Sequence, residues 1–221
     1  MTVFRVKKIL FDLDGTLVNT AADLHAATNH VLKSIGRTEI TLCQVQNLTG
    51  YGAVRLIEKG LEITGGTKRL DLEVLRQEFL RYYAENICVH SQPYPGCLDM
   101  LQNLAAQNFQ MAVCTNKPIF MAMALLECLG LHTYFGAVIG GDSFPFKKPD
   151  GRHLEKTSAL LPGNGATIMI GDSEPDVLGA KSAELPIIAV DFGYSPTPIA
   201  EHNPDHIISS LSEIPSLLAY G

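Results

Sequence analysis

KKILFDLDGTLVNT, residues 7–20, sets an apolar run against two aspartates placed two residues apart, with Gly-Thr directly behind them. Ile9-Leu10-Phe11 shows no polar alternation, the pattern of a strand buried on both faces of a parallel sheet. Asp12 and Asp14 would then stand at the carboxyl end of that strand, the edge at which open α/β sheets bind their ligands. Similar apolar runs recur at 111–114, 137–139, 167–170 and 187–190, with 206–208 as a shorter sixth. Between them, 97–107, 119–129 and 177–183 carry helical spacing. Strand and helix alternate from about residue 95 onward, which predicts an α/β fold with a doubly wound parallel sheet.

Residues 18–91 break this rhythm. Leu24, Ala27 and Val31, then Val54, Ile57 and Leu61, then Leu72, Leu75, Phe79 and Tyr82 fall at helical intervals, and no strand is evident among them. A helical cap domain inserted after the first strand is therefore expected over 18–91, with the α/β core formed by 1–17 and 92–221. Thr20-Ala21-Ala22-Asp23 reads as a capping box opening the first inserted helix, which gives Asp23 a structural role. Pro93-Tyr94-Pro95-Gly96 reads as the returning linker.

The bulk properties set the outer limits. A chain of 221 residues buries roughly 70% of its unfolded surface, enough for a sizeable core. Its 46% hydrophobic and 18% charged residues are those of a globular protein rather than a disordered one. A net charge of −6 argues against a nucleic-acid groove, although local cations and backbone amides still hold a small anion in an acidic protein. No secretory leader pattern or membrane-length apolar run is present, so a cytoplasmic location is expected. The five cysteines include no C-x-x-C pair and read as reduced core thiols. His202 and His206 are four apart, but Asn203-Pro204 breaks the helix that would align them on a metal.

The strand ends gather the chemistry. Asp12 and Asp14 follow the first strand, Thr115-Asn116-Lys117 the second, and Gly171-Asp172-Ser173, with Asp176 beyond, the fourth. Lys147-Lys148-Pro149 occupies the loop between the third and fourth. Acids, a hydroxyl, backbone amides and a lysine converging on one crevice suit a divalent cation together with a phosphate. Mg2+ takes oxygen ligands and uses only one or two carboxylates. An aspartate is a competent nucleophile at phosphorus, and a second acid nearby can protonate the leaving alkoxide and then deprotonate water.

Asp12-Leu13-Asp14-Gly15-Thr16, Thr115-Asn116, Lys148-Pro149 and Gly171-Asp172 with Asp176 resemble, in order, the four motifs of the haloacid dehalogenase superfamily of phosphatases. The resemblance covers essentially the whole chain. It implies Asp12 as nucleophile and Asp14 as acid/base, and Mg2+ held by Asp12, the Asp14 carbonyl and Asp172. It further implies a phosphoryl group bound by Thr115, the Asn116 amide and Lys148. Its implied partner is a small-molecule phosphate ester, not nucleic acid or membrane, acted on by a monomer or homodimer. Length, cap type and Tyr94-Pro95-Gly96 are most similar to phosphoglycolate phosphatases. A sugar-phosphate phosphatase or mutase, a pyrophosphatase, a nucleotidase and a non-catalytic binding protein on the same scaffold remain open.

Several residues keep two readings. Ser173 and Asp176, with Pro175 between them, form a capping-box pattern, so Asp176 fits both a helix cap and support for a metal. Asp142, in Gly141-Asp142-Ser143, reads as a loop residue. Lys147 competes with Lys148. Gly52, in Gly50-Tyr51-Gly52-Ala53, marks a candidate cap loop over the substrate, and Arg55 either clamps a substrate carboxylate or pairs with Glu58 on a solvated face. Asp150-Gly151 and Asn19 depart from the superfamily pattern.

Overall fold

The computed structural model describes residues 3–46, 50, 52–68 and 70–221. Its strands are β1 (Phe4–Val6), β2 (Lys8–Phe11), β3 (Val18–Asn19), β4 (Gln92–Pro93), β5 (Gln110–Cys114), β6 (Ala137–Ile139), β7 (Thr167–Gly171), β8 (Ile187–Val190), β9 (His206–Ile208) and β10 (Leu218–Tyr220). The α-helices are α1 (Ala21–Ser34), α2 (Leu42–Gln46), α3 (Ala53–Thr64), α4 (Leu72–Glu85), α5 (Cys97–Ala106), α6 (Ile119–Cys128), α7 (Gly151–Leu160), α8 (Glu174–Ser182) and α9 (Ile214–Leu217). Among the described residues no helix is long and apolar enough to cross a membrane.

Six strands form one parallel sheet in the order β6-β5-β2-β7-β8-β9. β2 lies at its centre, with Phe11 opposite Val113 on one side and Ile170 on the other. The chain builds β5 and β6 on one side of β2 and then returns to build β7, β8 and β9 on the other. The order therefore switches beside β2, where a crevice opens at the strand ends. Alternate strand residues feed two apolar layers. Ile9, Phe11, Met111, Val113, Ile168 and Ile170 pack with Leu101, Leu104 and Leu125. Leu10, Ala112, Cys114 and Met169 pack with Leu154, Val177 and Ala180. Burial on both faces explains the unbroken apolar runs.

The helices between β3 and β4 gather around a third cluster that includes Leu24, Val31, Leu61, Leu75, Phe79 and Tyr83, joined from α6 by Met121. The expectation of no strand in this region is corrected at its edge. Val18 and Asn19 pair antiparallel with Pro93 and Gln92, tying the entry of the insertion to its exit. The capping box at Thr20 is also corrected. Thr20 has φ −103° and ψ 0° rather than an extended conformation, and its hydroxyl has no partner among the described residues. Asp23 instead accepts hydrogen bonds from the Ser91 amide (2.8 Å) and hydroxyl (2.6 Å) and from the His90 amide (3.0 Å). A buried acid thus pins the returning chain to α1.

α8 starts at Glu174, three residues before the periodicity suggested, because Ser173 and Pro175 open it ahead of its first apolar residue. Asp142 does more than fill a loop: its carboxylate accepts from the Ile119 amide (2.8 Å) and satisfies a free donor at the start of α6. Asp150, the departure after Lys148-Pro149, caps α7 by accepting from the Arg152 amide (3.0 Å). β1 pairs parallel with β10, which brings the two ends of the described chain together. Asn19 accepts from the Tyr194 hydroxyl (2.6 Å), and an aspartate there would accept the same bond.

His153 of α7 is buried between Cys114 Sγ (3.4 Å from Nδ1) and the Gly140 carbonyl (3.2 Å from Nε2). Burial, helped by the nearby Lys148 charge, lowers its pKa from 6.5 to about 4. The unfolded chain takes up this proton first, so the neutral ring contributes stability above pH 6.5 that is lost as pH falls towards about 4. Between pH 7 and pH 5 the wild type is expected to lose about 2 kcal/mol more than His153→Gln, read from urea unfolding of the two proteins in parallel. Equal losses would mean that the ring is protonated in the native state.

Candidate active site

Asp12 follows β2 directly, and its amide still bonds to the Ile170 carbonyl (2.9 Å), so the sheet fixes its backbone. One carboxylate oxygen accepts from the Leu13 amide (2.8 Å) and lies 2.9 Å from Lys148 Nζ. The chain then turns at Gly15, whose φ of +88° suits glycine. A Cβ there would lie 2.4 Å from Asp172 Oδ2, so only glycine lets the turn close on that acid. Thr16 completes the arrangement by donating its hydroxyl to Asp172 Oδ1 (2.8 Å). Gly-Thr behind the two aspartates is thus the seat of a third.

Asp172 follows from β7, and its second oxygen accepts from the Tyr194 amide (2.7 Å). Gly193 leaves room for it, since a Cβ at that position would come within 2.2 Å of the Asp172 Cβ. Asp176, on the first turn of α8, accepts from the Ser173 amide (3.0 Å) and hydroxyl (2.6 Å) with one oxygen and from Lys148 Nζ (2.6 Å) with the other. It therefore serves the helix start and the site together. Asp12, Asp172 and Asp176 each offer a carboxylate oxygen within 4.8 Å of the others, and all three are buried.

The crowding of buried acids shows in the acidity of Asp12 and Asp172. Burial, reduced by Lys148 and increased by Asp176, raises Asp12 from 3.8 to about 6. Burial followed by the charges of Asp12 and Asp176 raises Asp172 well above the ordinary carboxylate range. For Lys148 burial works against the charged form, but Asp12 and Asp176 outweigh it and keep the ammonium protonated. An oxygen-only donor set with excess negative charge fits a hard divalent cation.

Around this centre the structure brings together most of the residues named from sequence. Thr115 and Asn116 are buried at the end of β5. Asn116 Nδ2 donates to the Gly50 and Lys148 carbonyls (both 3.0 Å), so it links the helical insertion to the lysine loop. Lys148 is buried against Asp12, whereas Lys147 is exposed and reaches towards Gly52. The Asp14 carboxylate stands apart from the three-acid group, 3.0 Å from Lys117 Nζ. Gly52 lines the cleft with Asp12, Asp14, Thr115 and Asn116. Arg55 does not: α3 turns Leu56 into the cleft and leaves Arg55 exposed, 3.3 Å from Glu58. Of the two readings of Arg55, the structure shows the surface pair with Glu58. Tyr51 lies outside the described residues.

The cleft between the sheet edge and the insertion encloses about 480 Å3 of space not filled by atoms, open solvent at its mouth included. The amino-acid sequence assigns no role to two of its residues, because nothing local marks them: Lys117, third in Thr-Asn-Lys, and Tyr83 of α4. The phenol oxygen of Tyr83 accepts from Lys117 Nζ (2.6 Å), and the ammonium also sits 4.4 Å from the centre of the Tyr83 ring.

Residues 9–190 match the family model of haloacid dehalogenase-like hydrolases. The chain belongs to that family. This haloacid dehalogenase-like hydrolase is 39% identical to a phosphoglycolate phosphatase of Agrobacterium fabrum, over 93% of this chain and 89% of that protein. It is likewise 39% identical to a phosphoglycolate phosphatase of Caulobacter vibrioides, over 94% of this chain and 88% of that protein. A crystal structure described as a predicted phosphoglycolate phosphatase from Haemophilus somnus superposes with a TM-score of 0.87 at 29% identity, covering 96% of this chain and 97% of that one. CbbY from Rhodobacter sphaeroides, solved with phosphate, shares the fold at a TM-score of 0.79 and 21% identity, over 95% and 96% of the two chains. Within the family the chain is a phosphatase, and the family's phosphatases are generally metal-dependent.

Proposed function

We propose that this hydrolase cleaves 2-phosphoglycolate to glycolate and phosphate, with Mg2+, through an aspartyl-phosphate intermediate. The observation that carries the mechanism is the buried set of Asp12, Lys148, Asp172 and Asp176 at the carboxyl edge of the central strands. The relatives' shared name supports the substrate.

Asp12, the Asp14 carbonyl and Asp172 would hold the cation, with Asp176 supporting them from the helix start. Bound there, the ion supplies positive charge that offsets the repulsion between the acids and a phosphate. Lys148 would hold a phosphoryl oxygen together with Thr115 and the Asn116 amide. Asp12 attacks phosphorus, the P–O bond to the ester oxygen breaks, and the departing alkoxide takes a proton from Asp14. Asp14 then removes a proton from water as that water attacks the aspartyl phosphate. The second step releases phosphate and restores both aspartates. Residues 18–91 act as a cap over 1–17 and 92–221, and closing it excludes bulk water from the intermediate.

The test is phosphate release from 2-phosphoglycolate, glucose 1-phosphate, nucleotides and pyrophosphate, in Mg2+ and after chelation. Selective, Mg2+-dependent release from 2-phosphoglycolate is expected. Turnover of another ester in its place would overturn the substrate, and full activity in chelator would overturn the metal.

A further inference from the structure

We propose, on the reading that the substrate is 2-phosphoglycolate, that Lys117 and Tyr83 recognise the carboxylate of the leaving group and so select it over neutral esters. A single carbon separates the ester oxygen of 2-phosphoglycolate from its carboxylate. Whatever recognises that carboxylate must therefore lie beside the group that protonates the ester oxygen. Lys117 Nζ meets this condition, 3.0 and 3.2 Å from the two carboxylate oxygens of Asp14.

The chamber offers no competing cation among its described lining residues. Beyond Asp14 it is walled by Leu24, Leu56, Phe79, Leu80 and Met121, and Lys117 is the cation among those residues. Lys148 is held by Asp12 and Asp176, and Arg55 pairs outside with Glu58. An ammonium has three N–H bonds, and those of Lys117 face the two Asp14 oxygens and the Tyr83 oxygen, so an incoming carboxylate would take over the longer of the two Asp14 contacts. Tyr83 accepts from Lys117, so its own proton is available, and no described residue takes it. Burial, then the charge of Asp14, raises the phenol's pKa well above its ordinary value, so it stays a donor.

Lys117 comes from the loop after β5 and Tyr83 from α4 of the insertion. A carboxylate between them would contact both walls of the cleft at once. A neutral ester would offer these two donors no anionic oxygen, so the charge-assisted part of the recognition is lost with it.

The experiment compares kcat/KM for 2-phosphoglycolate with that for 2-hydroxyethyl phosphate, which carries a hydroxyl in place of the carboxylate. In Lys117→Gln the ratio of the two is expected to fall about 100-fold, and in Tyr83→Phe about 10-fold. Lys117→Arg should recover part of it. A lysine that only positions Asp14 would slow both esters alike, so an unchanged ratio in both variants overturns the proposal. Tyr83→Phe keeps the ring over the ammonium and decides the matter should Lys117→Gln fail to fold. A wild type that turns over other esters but does not favour 2-phosphoglycolate overturns the substrate reading itself, and the inference with it.

Discussion

Asp12→Asn is expected to stop phosphate release, by a factor of about 10^4 or more, and at the same time to make the metal-free protein harder to unfold. The first effect follows from chemistry, because an amide of the same shape has no anionic oxygen with which to attack phosphorus. The second follows from crowding. Burial, opposed by Lys148 and reinforced by Asp176, raises the Asp12 carboxyl from 3.8 to about 6. A carboxyl raised in the fold stabilises it fully below pH 3.8, and that contribution is lost as pH rises through about 6. At neutral pH the charged form therefore costs the fold up to about 3 kcal/mol, from about 1.4 kcal/mol per unit. The amide oxygen that replaces the carboxylate still accepts a hydrogen bond from Lys148 but escapes the repulsion of Asp172 and Asp176. A gain of about 1–2 kcal/mol, a few degrees in Tm for a chain of this size, is expected in chelator. Saturating Mg2+ should narrow or reverse the order, because the wild type binds the ion more tightly. Thermal unfolding in the two conditions is the measurement. An inactive variant that melts below the wild type in chelator would show that the Lys148 pairing outweighs the crowding.

The parts of this molecule that sequence made legible are those whose cause is local. Ile9, Leu10 and Phe11 have apolar neighbours on both faces of the sheet, so the run is unbroken and the strand visible. Asp12, Asp172 and Lys148 are each announced by a strand end or a Lys-Pro loop. What stayed hidden depends on residues far apart in the chain. Thr20-Ala21-Ala22-Asp23 has the letters of a capping box, but Asp23 is taken by His90 and Ser91, more than sixty residues on. Nothing near Tyr83 shows that its hydroxyl meets Lys117, because the pair forms only when α4 lies against the end of β5. Arg55 is a cation beside a glycine-rich loop, yet which face of α3 meets the cleft is decided by packing at Leu56. The three-residue β1 and β10 are too short for alternation to mark them, and each is defined only by its partner at the other end of the chain.

Lys148→Met should give the opposite stability result at the same ion pair. The ammonium is buried, 2.9 Å from Asp12 and 2.6 Å from Asp176. Met keeps most of its length and volume but removes the positive charge set between Asp12 and Asp176. Breaking a buried ion pair from one side leaves charges without partners, at a cost of about 3–5 kcal/mol, so a marked fall in Tm is expected in chelator. Activity should drop by about 10^3, the loss expected when a charged group that stabilises the transferring phosphoryl is removed. The two substitutions are coupled through one contact, which makes their combination informative. With Asp12 already neutral, losing Lys148 strands only Asp176, so Asp12→Asn/Lys148→Met should be more stable than Lys148→Met alone. Additive effects in that cycle would mean that Lys148 is needed chiefly by Asp176 and the start of α8. Strong coupling would mean that it balances the nucleophile, and that the site keeps an unstable arrangement of charge because the reaction requires it.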